Sequence, residues 1–328
     1  MSKKNIAILG GGYSSEAEIS KNSTHQLCEM MDTHTYCVYP IFIDKDSWYA
    51  LYNGIKYPVQ KNDFTITIDN SVISFDCIYN SIHGTSGEDG HLSAYFDLLN
   101  LPYTNSDVFS SALTFNKYAT KTFLNSFGIT SAKGVLIVEG AEINEEQIVS
   151  ELGLPCFVKP NNGGSSFGIS KVSTQEQLLP AIKSALKEDA EVLIESFIEG
   201  VEISNGVYKT GNTVHVLPIT EIETTNDFFD YQAKYEGKSK EITPARLSDE
   251  LTKTCRELTK QIYTLLQCKG ICRIDYIVKN NTLYMLEINT VPGMSKASII
   301  PQQIRAAGLK ESDVFTAIIE HTINEYNK

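Results

Sequence analysis

Apolar residues gather along this chain in strand-sized blocks, and between many of them the spacing shifts to the three-and-four step of an amphipathic helix. NIAILG reads as a first strand and is followed by a helical pattern from about Ser15 to Met31. TYCVYPIFI and FDCIYNSI then read as strands, and a helix is expected near His91–Leu99. Strand alternating with helix predicts a small parallel α/β domain, punctuated at Pro102 and the Asn and Ser residues beside it. A second run opens near Ser110 with a helix carrying Asn116–Lys121. It continues through GVLIV, a helix near Glu145–Leu152, CFVKP, ISKV, a helix near Gln175–Leu186 and EVLIESFI. From about Gly200 come the strands EISNGVY and TVHVLPI, a polar stretch at Thr224–Pro244 and a helix near Asp249–Gln267. Two apolar strands and a last helix, roughly Asp313–Tyr326, complete the pattern. These changes of rhythm predict three α/β or α+β domains in series: 1–110, 111–201 and 202–328.

The two strands before the last helix break their own pattern. In RIDYIVKNNTLYMLEIN, Asp275 interrupts one apolar run, and Glu287 and Asn289 interrupt the other. An unpaired carboxylate is costly to bury, so oxygen-bearing side chains at these positions call for a positive partner, and a hard cation suits them. Side chains alternate along a strand, so Arg273 and Asp275 share one face of the first strand, and Glu287 and Asn289 one face of the second. A three-residue loop at Asn280–Thr282 would set Asp275 opposite Glu287 and Arg273 opposite Asn289. A two-residue loop would divide the pairs between opposite faces.

Composition narrows the classes. The 328 residues suffice for two or three cores, and 28 basic against 40 acidic residues give a net charge of −12 with no basic stripe, which argues against nucleic acid as a partner. No apolar run approaches the length of a membrane span, and the opening MSKKNIAILGG stops at glycines short of a signal-peptide core. Seven scattered cysteines without a CxxC pair suit reduced, mostly buried thiols in a cytoplasm, Cys268 and Cys272 included.

Four further segments carry candidate chemistry. GGGYSSEAEIS follows a strand and opens a helix, where glycines permit a tight turn and the helix N-terminus can face an anion. It lacks the third glycine of a dinucleotide fingerprint, and a capped helix start at Ser14 or Ser15 explains it equally. Glu16 stands out there as a carboxylate at a strand's C-terminal mouth. IHGTSGEDG places His83 in a Gly-rich loop at a strand end, although a turn with a capped helix at Glu88–Asp89 accounts for the same residues. FVKPNNGGSSFG offers Lys159 on a strand before a Gly/Ser hairpin tip able to close over phosphates; it is no Walker loop, and a flexible hairpin tip explains it equally. VLIESFIEGVE places Glu195 at a strand end and Glu202 beyond it, where exposed backbone can meet an adenine edge and Glu202 ribose hydroxyls, although an ordinary interdomain connection accounts for the same residues.

In this order the segments resemble the ATP-grasp superfamily and, within it, the D-alanine–D-alanine ligases. The likeness rests on GGYSSEAEIS, HGTSGEDG, FNKYATK, VKPNNGGSSFGISKV, VLIESFIEGVE, FFDYQAKY, CRIDY and LEINTVPGMSKASIIP, which span nearly the whole chain. The chain departs from the family chiefly in EGKSKEITPAR, after Tyr235, and at Asn161 and Asn162. The resemblance implies a three-domain ATP-grasp fold, with an N-terminal parallel-sheet domain and ATP held between the central and C-terminal domains. It implies ligation of two D-alanines through a D-alanyl phosphate, for peptidoglycan precursors, in a cytoplasmic homodimer with neither nucleic-acid nor membrane partners. By the same resemblance Lys117 and Lys159 hold ATP phosphates, and Glu195, Ile198 and Glu202 hold the nucleoside. Asp275, Glu287 and Asn289 bind two Mg²⁺ ions, with Mn²⁺ as a substitute, while Lys234 and the Ser165–Ser166 loop close over the γ-phosphate. Glu16 takes the ammonium of the first D-alanine, with His83 near its carboxylate. Arg273 and the Gly293 backbone form an oxyanion site, and Ser298 and the Ile299 backbone catch the second carboxylate. Tyr235 joins Ser165 and Glu16 in a hydrogen-bonded chain. The rival readings are a D-alanine–D-lactate ligase or another ligase of the superfamily, an NAD-dependent oxidoreductase, and a nucleotide-binding protein without turnover.

Overall fold

Three sheets organise the chain in the computed structural model, which describes residues 3–164, 168–224 and 239–328. Strand β1 (Lys4–Gly11) lies at the centre of the parallel part of the first sheet, between β2 (Tyr36–Ile43) and β7 (Cys77–Asn80). Helix α1 (Ala17–Met30) makes the crossover from β1 to β2. The expected parallel unit is present and is extended by four strands that the hydrophobic pattern did not predict. These are β3 (Trp48–Tyr52), β4 (Ile55–Gln60), β5 (Thr65–Ile68) and β6 (Ser71–Ile73), which continue outward from β2 as antiparallel neighbours. They are short and mostly polar or half-exposed, so they lack the continuous apolar signature of strands covered on both faces.

Helix α2 (His91–Leu98) leads to a pair of helices where one was expected: α3 (Val108–Phe115) and α4 (Lys117–Asn125). Asn116 has extended backbone angles and caps α4 through its side chain, which accepts the Ala119 N–H at 2.9 Å. The break turns Lys117 and Lys121 toward the second sheet. That sheet has the order β10-β9-β11-β8, from β8 (Gly134–Val138), β9 (Cys156–Pro160), β10 (Ser170–Val172) and β11 (Glu191–Ser196). Helices α5 (Glu145–Leu152) and α6 (Leu178–Ala185) share its core through Ile148, Leu152, Leu178 and Ile182.

The third sheet orders as β14-β13-β12-β15-β16, from β12 (Val201–Thr210), β13 (Thr213–Thr224), β14 (Ser239–Ile242), β15 (Ile271–Lys279) and β16 (Thr282–Asn289). Helix α7 (Asp249–Leu265) packs Cys255, Ile262 and Tyr263 against Ile203, Ile274 and Tyr276, leaving the opposite face for the site. Two helices end the chain: α8 (Ile299–Ala306), not expected from the sequence, and α9 (Glu311–Tyr326). Ile300, Ile304, Phe315 and Ile319 from them share one core with Ile6 and Tyr79 of the first sheet, Leu27 of α1 and Tyr208, Leu217 and Ile271 of the third sheet. The end of the chain thus ties the first sheet to the third.

Candidate active site

The β15–β16 hairpin corrects the expected loop and keeps the expected pairing. Asn280 and Asn281 both take positive φ, 50° and 60°, and form a two-residue turn with Lys279 paired to Thr282. Continued evenly, that register would divide the acids between faces. A bulge intervenes: Tyr276 pairs with Met285 and Asp275 with Glu287, so Leu286 is the extra residue. Asp275 therefore faces Glu287, and Arg273 faces Asn289. Asp275 is buried and well supplied with donors. Arg273 grips it through Nε at 2.9 Å and Nη2 at 2.8 Å, Ser204 Oγ donates at 2.6 Å and Asn289 Nδ2 at 3.2 Å.

Across the cleft stands a cationic cluster built on the second sheet and α4. Lys159 on β9 and Glu195 on β11 are diagonal cross-strand neighbours, and the Glu195 carboxylate is ion-paired with both Lys159 and Lys121. All three side chains are buried. Burial opposes the Glu195 charge, but the two ammonium groups prevail and lower its pKa. Burial pushes the Lys121 ammonium down to about 8, against the raising effect of Glu195. The Lys117 ammonium is likewise lowered by burial, with Glu287 acting in the opposite sense, and it donates to the Gly163 carbonyl. Asn161 stitches the two elements together: its carbonyl accepts the Lys117 N–H at 3.1 Å and its Oδ1 the Tyr118 N–H at 2.8 Å. Lys117, Lys121, Glu287 and Asn289 line one cavity, which continues into a larger one bounded by Ser15, Glu16, Gly84 and Gly164.

The mouth of the first sheet contributes Glu16 and His83. Glu16 is buried where two backbones pass close by. A methyl group added at Gly84 would stand 2.9 Å from Glu16 Oε2, and one at Gly164 would stand 3.0 Å from it. Only glycines admit that approach from both the HGTSGEDG loop and the Gly-rich hairpin. His83 Nδ1 faces the Val291 carbonyl at 2.8 Å, which can only accept, so this nitrogen carries the proton, and Nε2 faces Ser23 Oγ at 3.3 Å. Burial lowers the His83 pKa, so the ring presents itself neutral. Glu88 adds a carboxyl group that accepts the Gly84 N–H at 2.6 Å, and burial with the nearby Glu16 charge raises it to about 8.

Ser298 precedes α8, its Oγ receiving the Ser295 N–H at 3.1 Å, and Gly293 passes close enough that a methyl there would stand 3.1 Å from that oxygen. Ile198 and Glu202 flank the passage from β11 to β12, both half-buried. Ser165, Ser166, Lys234 and Tyr235 lie outside the described residues. Three residues of the cluster were not singled out from the sequence: Lys121, Glu88 and Ser204. Lys121 had a signal, since it follows Lys117 by one helical turn on the same face.

Among the described residues, no group of three or more His, Cys, Asp or Glu side chains is placed to hold a metal ion. Asp275, Glu287 and Asn289 form a different set, two carboxylates and an amide, which the register puts on one sheet face. That chemistry fits a hard cation such as Mg²⁺. Acids facing lysines across a cleft between two sheets are equipped to hold a polyphosphate and stabilise charge developing on it.

Comparison with known proteins agrees. Residues 5–106 match the family described as D-ala D-ala ligase N-terminus, and residues 123–320 the one described as D-ala D-ala ligase C-terminus. A D-alanine–D-alanine ligase of Flavobacterium johnsoniae is 50% identical over 318 residues, covering 97% of this chain and 98% of its own. Among solved structures, the VanG D-Ala:D-Ser ligase of Enterococcus faecalis is 30% identical with a TM-score of 0.83, covering 99% of this chain and 100% of its own. The Bacillus anthracis D-alanine–D-alanine ligase complexed with ATP is 27% identical with a TM-score of 0.80, covering 99% of each. Fold and site define an ATP-grasp ligase architecture. The chain belongs to the D-alanine–D-alanine ligase family.

Proposed function

We propose that this protein joins two D-alanines into D-alanyl-D-alanine with ATP hydrolysed to ADP and phosphate, supplying the dipeptide for peptidoglycan precursors in the cytoplasm, as a homodimer. The observation that carries this reading is the paired acid–amide face of the β15–β16 hairpin set across one cleft from Lys117, Lys121 and Lys159. A free carboxylate is a poor electrophile. Transfer of the γ-phosphoryl group to the first D-alanine carboxylate gives an acyl phosphate and ADP. The amine of the second D-alanine then attacks the acyl carbon, and the phosphate departs with the electron pair of the broken C–O bond.

Each residue takes a part in that scheme. Lys117 and Lys159 contact phosphate oxygens, and Lys121 holds Glu195 in place. Glu195, Ile198 and Glu202 receive the nucleoside. Glu16 holds the first ammonium, with the neutral His83 ring nearby, and Arg273 with the Gly293 backbone faces the oxyanion. Ser298 and the Ile299 N–H receive the second carboxylate. Lys234 and the Ser165–Ser166 loop close over the γ-phosphate, and Tyr235 joins Ser165 and Glu16, so that water that would hydrolyse the acyl phosphate is excluded. Asp275, Glu287 and Asn289 would hold two Mg²⁺ ions, with Mn²⁺ as a substitute. When bound, these neutralise phosphate charge and orient the transferring group.

Likeness to a D-Ala:D-Ser ligase makes the second substrate the finer question, and Tyr235 favours an amine over the hydroxyl of D-lactate. The test uses D-alanine labelled with ¹⁸O in its carboxylate, Mg-ATP and the purified protein. D-Alanyl-D-alanine should form with one ¹⁸O carried into inorganic phosphate, and L-alanine should be inert. Unlabelled phosphate, or equal turnover of L-alanine, would overturn the reading.

A further inference from the structure

The edge of the third sheet carries a carboxylate that the scheme above does not use. Glu241 on β14 pairs with Ile222 on β13, which in turn pairs with Glu202 on β12. Ser204, two residues along β12, pairs with Asp275, and Asp275 with Glu287. Alternation therefore puts Glu241 on the same face as Asp275 and Glu287, away from the α7 core. Ile222 packs against Ile299, the first residue of α8, so this corner of the face meets the helix start. Gln302, one turn into α8, donates through Nε2 to the Glu241 carboxylate and also to the Ala297 carbonyl at 2.6 Å. Glu241 is half-buried. Burial raises its pKa, while the Gln302 donation and the Arg273 charge oppose that rise. A tethered carboxylate thus stands beside the helix start that carries Ser298 and Ile299, within the field of Arg273.

We propose that Glu241, positioned by Gln302, receives the ammonium group of the second amino acid and so selects an amine nucleophile over a hydroxy acid. The inference rests on the reading that Ser298 and the Ile299 N–H take that substrate's carboxylate. A zwitterion anchored there brings a cationic group to the sheet face where Glu241 stands. A hydroxy acid brings no cation, and leaves the carboxylate with Gln302 alone. Selection by an unmet partner is as effective as selection by attraction. The sequence pointed toward this segment only as a departure from the family, since EGKSKEITPAR contains Glu241.

Steady-state kinetics resolved for the two D-alanine sites test this, with Glu241→Gln as the isosteric neutral variant. Its KM for the second D-alanine should rise about 10- to 100-fold, the range for loss of a charge-assisted hydrogen bond, with the KM for the first unchanged. Its preference for D-alanine over D-lactate should fall by a similar factor. Glu241→Asp should recover part of both, and Gln302→Leu should show a weaker version of the same split. An unchanged second KM, or equal rises at both sites, would overturn the proposal. Wild-type protein in the same assay separates the two readings. If it makes D-alanyl-D-alanine while Glu241→Gln behaves normally, only the role of Glu241 fails; if it does not use D-alanine, the underlying function fails.

Discussion

The hairpin of the third sheet and the loops at the mouth of the first sheet both bring carboxylates to the cleft, by different means. In the hairpin, four side chains share a face because two strands are paired and one residue is bulged. At the mouth, Glu16, His83 and Glu88 meet because loops cross where glycine alone permits the approach. A ladder positions side chains by counting, so one inserted or deleted residue moves all of them together. A loop cluster positions each side chain through its own contacts, so damage there is local and graded. The hairpin should therefore fail abruptly and the mouth by degrees.

Insertion of one alanine between Leu286 and Glu287 is the harshest test of that contrast. With the bulge kept, the inserted residue would face Asp275, and Glu287 and Asn289 would be sent to the α7 side, opposite Ile274 and Cys272. Ligase activity should drop by a factor on the order of 10³ or more, as expected when an electrostatic set and its supports are lost together. Circular dichroism and ATP-independent solubility should show a folded chain. Substantial retained activity would mean that the strand absorbs the extra residue and that counting along the ladder does not set these positions. Glu195→Gln comes next. It leaves Lys121 and Lys159 buried without their counter-charge, and breaking such a network costs about 3 kcal/mol or more, measurable by urea unfolding. The KM for ATP should rise in parallel.

Glu88→Gln probes the mouth and should have the smallest effect. In the folded chain this carboxyl group is raised to about 8, so it holds a proton that the unfolded chain releases near its ordinary value of 4.5. Its contribution to stability is present below pH 4.5 and is lost as pH rises through about 8. Wild type should thus lose stability between pH 5 and 8 on account of Glu88, and the glutamine variant should flatten that slope. The difference at pH 8 should be about 1 kcal/mol, below the full linkage value because the group borders an open cleft. Thermal unfolding at several pH values reads it.

What the sequence disclosed follows the same division. The acid-interrupted apolar runs were legible, and alternation put Arg273 with Asp275 and Glu287 with Asn289, but whether the two pairs met depended on a turn and a bulge that the pattern did not disclose. A one-residue excess can sit in the loop or in the strand, and hydrophobic pattern alone does not distinguish them. Strands β3–β6 were hidden because they are short and largely half-exposed, with polar residues breaking their apolar runs, and α8 because its eight residues include Pro301 and three polar positions. Lys121 was visible as a helical repeat of Lys117, but its pairing with Glu195 depends on how α4 docks on the second sheet. Glu88 lay inside a recognised motif, where its other explanation, capping a helix start, drew attention away from its proximity to Glu16. Here the helix cap is Gly90, with Asp89 Oδ1 accepting the His91 N–H at 3.1 Å.

The central claim is that the bulged hairpin presents Asp275, Glu287 and Asn289 as one cation-binding face toward the nucleotide. Counting bound Mn²⁺ by electron paramagnetic resonance, with and without a non-hydrolysable ATP analogue, tests it most directly. Wild type should bind two ions per chain only when nucleotide is present, and Glu287→Gln should lose at least one while keeping its unfolding temperature. Equal Mn²⁺ stoichiometry and affinity in the two proteins would contradict the account.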